Sequence, residues 1–240
     1  MQASPEDQLR LLVLADADVA IARAKHRRAT LPELAELREL GAQRNAVTQE
    51  LVAAETALSD LQEEQQRLEV DLEPARARLV RNQAKVDAGQ ISDPKALRSM
   101  VDELEHLRGR ITKLEDDELE LMQQIEDATR VRDEIAARRG GIDSQGRALI
   151  ASRDASFAEI DAELEELGSD RAAHAHVVPG ELLALYEKIG AKAGTGAAKL
   201  TDGRCMGCHV EANASDLRQY SAAPPSQVIR CEECGRILVR

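Results

Sequence analysis

The ten residues "DAGQISDPKA" (87–96) separate two long runs of regularly spaced apolar residues, and their reading decides how those runs pair. Gly89 tolerates the left-handed conformation in which many helices end. Ser92 or Asp93 can accept hydrogen bonds from the free amides of a new helix, and Pro94 suits its first turn. The stretch predicts a helix stop followed at once by a helix start.

On the near side, an alternating 3,4 spacing runs from Leu40 to Val86 through fourteen positions, of which only Arg44, Gln65 and Asn82 are polar. On the far side it runs from Leu97 to Ile142, again through fourteen positions, with Glu118, Arg132 and Arg139 polar. A period of about 3.5 residues keeps a narrow stripe turned toward a partner helix. Equal lengths across a short turn fit an antiparallel hairpin, whereas a parallel dimer would not require them. With Val86 set against Leu97, partner numbers sum to about 183, and each arm is about 70 Å or longer. Pro74 falls inside the first arm and is expected to bend it.

By that pairing the stretch 154–168 has no partner in the first arm and faces residues 15–29 instead. "QLRLLVLADADVAIARAKHRRATLPEL" (8–34) reads as a helix broken before Pro32, placed to cover the base of the hairpin. "RRGGIDSQG" (138–146) holds three glycines, and beyond it the apolar frame slips to Ile150, Phe157, Ile160, Leu164 and Leu167. The slip predicts a change of packing partner, and the glycines leave open whether the helix kinks or continues there. "PGELLALYEKI" (179–189) reads as a short helix, and "GAKAGTGAAK" (190–199) as a flexible connector. No G-K-[ST] follows its glycines, so it is not a phosphate-binding loop.

The cysteines are confined to the last forty residues, as Cys205-x-x-Cys208 and, after 22 intervening residues, Cys231-x-x-Cys234. Two C-x-x-C pairs supply four thiolates, enough for tetrahedral zinc. Gly207 lies within the first knuckle and Gly235 directly after the second. "GAAKL", "QVIR" and "RILVR" read as short strands, completing a zinc ribbon too small for a core of its own, so that metal supplies most of its folding energy. "CMGCH" also has the spacing of a covalent haem site, but that reading leaves Cys231 and Cys234 idle. A dithiol redox site would call for an α/β surround that the sequence lacks. Four protein ligands leave zinc no open position, so the metal is expected to be structural. His209 is redundant as a ligand and reads as a surface residue or a donor to the ligands. His174 and His176 have no acidic or cysteine neighbours to complete a site, and His26 and His106 lie in charged helical runs.

Composition narrows the function classes. The chain has no Trp, one Phe, two Tyr, 32% charged residues and a net charge of −12. Long helices suit such a composition better than a compact aromatic core. The charge argues against a protein that coats nucleic acid, and no apolar run approaches the roughly 20 residues of a membrane span. The N-terminal residues carry acids where an export signal needs bases, so a cytoplasmic protein is expected.

A broken N-terminal helix with "LPEL", a long helical hairpin, "LLALYEKI" and the ending "CMGCH…CEECGRIL" together resemble the bacterial family of coiled-coil proteins with a C-terminal four-cysteine zinc ribbon. The resemblance spans essentially the whole chain and implies that Cys205, Cys208, Cys231 and Cys234 hold the metal. It implies no catalytic residues. Better-studied members act as regulators or chaperone-like adaptors that contact an alternative sigma factor or messenger RNA. Arg far outnumbers Lys here and Ala is abundant, which points to a GC-rich genome, where that sigma factor is often missing.

The expected fold is mainly α: a long antiparallel coiled-coil hairpin with an N-terminal helix at its base, plus a small C-terminal β zinc ribbon. The expected divisions are 1–168, 169–190 and 191–240. The expected function is that of a non-enzymatic zinc-binding adaptor or regulator with a protein partner and no small-molecule substrate. Nucleic-acid binding through the ribbon is the alternative. Over residues 190–240 it rests on Lys192, Lys199, Arg204, Arg218, Arg230, Arg236 and Arg240 set against five acids.

Overall fold

The structure is a computed structural model describing residues 1–240. In chain order it comprises α1 (Pro5–Ala29), α2 (Pro32–Asp87), α3 (Pro94–His176), α4 (Gly180–Ala193), β1 (Ala197–Thr201), β2 (Arg204–Cys205), α5 (Ala214–Ala222), β3 (Ile229–Arg230) and β4 (Ile237–Val239). The chain divides into two compact units, Glu36–Leu149, and Met1–Ala35 together with Ile150–Arg240. The expected boundaries at 168/169 and 190/191 fall inside α3 and α4.

In the first unit, α2 and α3 run antiparallel through the turn at 88–93. The Gly89 amide donates to the Val86 carbonyl and the Gln90 amide to that of Lys85. Gly89 has φ +62°, so these bonds close α2 in a Schellman cap. Asp93 is the residue that caps α3, accepting from the Lys95 and Ala96 amides. The seam is buried at Val47, Leu51, Leu58, Leu72, Leu104, Leu107, Ile111 and Leu121, as the heptads require. Its register is marked by ion pairs of Arg44 with Asp143, Glu50 with Arg138, Arg76 with Glu115 and Arg78 with Glu103. These pairs scatter around the expected register and lie mostly a few residues beyond it. The polar seam residue Asn82 is buried and donates to Glu103 across the hairpin at 3.2 Å.

α2 passes through Pro74 without a break. Proline frees the carbonyl four residues earlier, here that of Val70, and Val70 is 66% exposed, so water can satisfy it. The question left open at 138–146 is answered by α3, which stays helical through all three glycines. What changes there is the partner. In the second unit Arg27 pairs with Glu163, Arg28 with Asp161, and Arg171 with Asp18, all between α1 and α3. Arg28 also stacks over Phe157 at 4.1 Å.

The four strands form one sheet in the order β2-β1-β4-β3. β1–β2 and β3–β4 are antiparallel hairpins, joined by a parallel pairing of β1 with β4. Strand alternation sends Ile237 and Val239 to one face and Leu238 to the other. The first face packs on Leu11 and Leu14 of α1 and on Leu182, Tyr186 and Ile189 of α4. The second encloses Cys205 and Cys231 beneath Tyr220 of α5. The ribbon is therefore not coreless: it borrows a core from the helices on one side and builds a small one over the metal ligands on the other. The expected connector is also largely structured. Residues 190–193 continue α4, Gly194 ends it at φ +84°, and β1 starts at Ala197.

Candidate metal centre

Each cysteine pair sits on a tight knuckle, and the two knuckles have the same hydrogen bonding. The His209 amide donates to the Cys205 carbonyl at 2.8 Å, as the Gly235 amide does to that of Cys231 at 2.8 Å. In the return direction the Cys205 amide donates to Val210 and the Cys231 amide to Arg236. The residue after each second cysteine must then be left-handed, and His209 has φ +60° where Gly235 has φ +73°. His209 is exposed, so its place in the knuckle is a backbone role.

The four sulfurs lie within 4.8 Å of one another, with Cys205 3.8 Å from Cys234 and Cys208 3.8 Å from Cys231. Tetrahedral zinc with bonds of about 2.3 Å needs sulfurs about 3.8 Å apart, so the four thiolates fit one structural zinc. None of the four is in a disulfide. Burial pushes the Cys231 thiol up to about 12 and raises that of Cys205. Cys234 is subject to the same burial, but the Arg236 backbone amide and side chain and the neighbouring thiols outweigh it, leaving this thiol lowered to about 7.

Arg236 also ties the knuckles to the helices. Its Nε donates to the Thr195 carbonyl and hydroxyl, and its Nη2 to the Ala193 carbonyl at the end of α4. It passes over Gly207, where an added Cβ would lie 2.7 Å from Arg236 Cδ and 2.9 Å from Ala198 Cβ. Gly207 is thus required for close approach rather than for a turn. Two other cations of the expected basic face are also engaged with backbone carbonyls. Arg230 donates to Gly235, and Arg240 to Tyr220, Ala223 and Pro224 at the end of α5.

Two family models match the chain: the CT398-like coiled coil hairpin domain over residues 14–194, and the C4-type zinc ribbon domain over residues 204–238. The chain belongs to the CT398-like coiled-coil hairpin family. The family match begins within α1 and ends at Gly194, taking in most of α1 and all of α4, the helices on which the ribbon rests. A Mycobacterium tuberculosis protein described as uncharacterized is 33% identical over 250 residues, covering 100% of this chain and 98% of its own. A Mycobacterium leprae protein, likewise described as uncharacterized, is 27% identical, covering 92% and 94%. A solved structure from Mycobacterium smegmatis aligns over 100% of both chains with a TM-score of 0.91 and 32% identity. CT398 from Chlamydia trachomatis shares the fold at a TM-score of 0.72 and 15% identity over 97% of both chains.

Sequence reasoning missed α5, the β1–β2 turn and the first three residues. "NASDLRQY" carries the signal for α5, since Asn213 accepts from the Ser215 and Asp216 amides as an N-cap. "TDGR" carries the turn signal, with Asp202 and Gly203 both at positive φ. Nothing local signals that the Ala3 amide donates to Ser226 and the Val228 amide to Met1. No helix of the structure is long and apolar enough to cross a membrane.

Proposed function

We propose that the protein is a non-enzymatic, zinc-stabilised adaptor that binds a protein partner through its helical hairpin and its ribbon. The observation that carries this reading is the pairing of a closed metal centre with a long helical surface. Four thiolates fill a tetrahedral zinc and leave no position for a substrate or an activated water. Meanwhile α2, about 84 Å long by its 56 residues, buries little besides its seam and presents its remaining faces to partners. The bound-up state of Arg230, Arg236 and Arg240 favours a protein over a nucleic acid, because fewer free cations remain for phosphate.

A photo-crosslinking amino acid at Val52 or Leu119 on the hairpin, and at Met206 on the ribbon, tests the reading. All three side chains are exposed. Discrete, position-dependent protein adducts in cells are expected. The absence of adducts from every position removes the adaptor reading, and recovery of RNA in their place supports the alternative. Full-length protein is required, since the ribbon shares its core with α1 and α4 and its deletion would bare that core.

A further inference from the structure

The second unit contains a groove of about 1070 Å³ that the metal centre does not account for. One wall is a single stripe of α1 that includes Leu12, Ala15, Val19 and Ala22. The other is formed by Ala197, Ala198, Met206 and Gly207, which belong to β1 and the first zinc knuckle. The stripe from Leu12 to Arg27 is about 22 Å long, equal to roughly four turns of a second helix. Small side chains dominate both walls, and a chain with three aromatics in all has nothing bulky to fill the space. The exception is Met206, 46% exposed at the tip of the knuckle, a flexible side chain able to mould itself to an incoming surface.

The charges around the groove are selective. Asp18, Arg27, Glu163 and Arg236 line it but are engaged, with Arg171 and Tyr186, with each other, or with backbone carbonyls. The ionised residues left over are Arg23, Lys199 and Asp16. The excess is cationic, in a chain whose net charge is −12. We propose that this groove seats an acidic amphipathic helix of a partner protein, with large apolar side chains entering between α1 and the zinc knuckle and carboxylates meeting Arg23 and Lys199. The inference rests on the adaptor reading and gives that reading a defined surface. It also gives the zinc a second consequence. The metal fixes the knuckle that carries Met206 and Gly207, so it fixes one wall of the groove.

Full-length zinc-loaded protein is titrated with fluorescein-labelled helical peptides of roughly five turns. One carries a Leu stripe flanked by Glu, the second the same stripe flanked by Lys. The Glu-flanked peptide is expected to bind at least about tenfold tighter than the Lys-flanked one. Charge reversal at both Arg23→Glu and Lys199→Glu should invert that preference. Ala22→Trp, which fills the groove without changing its charge, should weaken both peptides. Metal content and thermal unfolding show that each variant is folded. Failure of the Glu-flanked peptide to bind, equal binding of both peptides, or indifference to the double reversal would each overturn the proposal. So would tighter binding of a single-stranded RNA oligonucleotide that displaces the Glu-flanked peptide from the groove. Crosslinks from Val52 or Leu119 without peptide binding at the groove would leave the adaptor reading intact and remove this one alone.

Discussion

The hydroxyl of Tyr186 donates to Asp18 Oδ2 at 2.5 Å, and Arg171 donates to the other carboxylate oxygen at 2.5 Å. One carboxylate of α1 thereby joins α3 and α4, at the rim of the cluster on which the sheet rests.

Tyr186 is 1% exposed, and burial followed by the Asp18 contact raises its pKa well above the ordinary tyrosine range. The folded state then holds a proton that the unfolded chain releases near pH 10, so this contribution to stability is present below about pH 10 and is lost as pH rises further. Tyr186→Phe should cost about 1–3 kcal/mol in urea unfolding at neutral pH. It should also flatten the decline in stability above pH 10.

Glycine substitutions should separate by position. At Gly196 an added Cβ would lie 2.2 Å from the Tyr186 carbonyl oxygen, so Gly196→Ala is expected to destabilise by roughly 1–3 kcal/mol or more. At Gly140 and Gly141 a Cβ meets nothing within 4 Å, and both residues are exposed within α3. Alanine at either should stabilise by roughly 0.5–1 kcal/mol. Thermal unfolding of the three variants reads the difference in sign.

Arg236 supports the ligand Cys234 while it closes α4, so its loss should be felt at the metal. Arg236→Ala is expected to weaken zinc binding by about 10- to 100-fold in chelator competition. Lysine should restore little, since one ammonium cannot reproduce a planar fork that reaches Thr195 and Ala193 together. The helical circular dichroism of α2 and α3 should be unchanged.

Asn82 offers a test of pairing specificity. Asn82→Leu should raise the melting temperature of the hairpin, because it replaces a buried polar seam residue with an apolar one. It should also loosen register, measured as a broader distance distribution between spin labels at exposed positions of α2 and α3. A narrow distribution would show that the ion pairs, such as Arg44 with Asp143, suffice to set it.

The hairpin was legible because its information is local and repeated: a 3.5-residue period, Gly89, Asp93 and Pro94 each act on neighbours in sequence. The four-cysteine cluster was legible because C-x-x-C spacing is itself the knuckle. The environment of the ribbon was not. Ala197, Ile237 and Leu11 share a cluster across most of the chain, and no pattern in "GAAKL" or "RILVR" says which helix covers them. The same holds for Arg236, which reads as a free surface cation until the end of α4 is brought beneath it. The glycines at 140–146 could not say whether α3 continues, because a helix braced by a partner tolerates residues that an isolated one would not.

β4 comes after every other element in chain order, yet it lies inside the sheet, between β1 and β3. A chain emerging from the ribosome can pair its two long helices while this slot is still vacant, because domains form from the N-terminal side as they are made. Ile237, Leu238 and Val239 then enter as a keystone, the strand that pairs with both β1 and β3. Without those three residues the helices would still form, but β3 would have no strand to pair with and the apolar underside of the sheet would lie open to any passing surface.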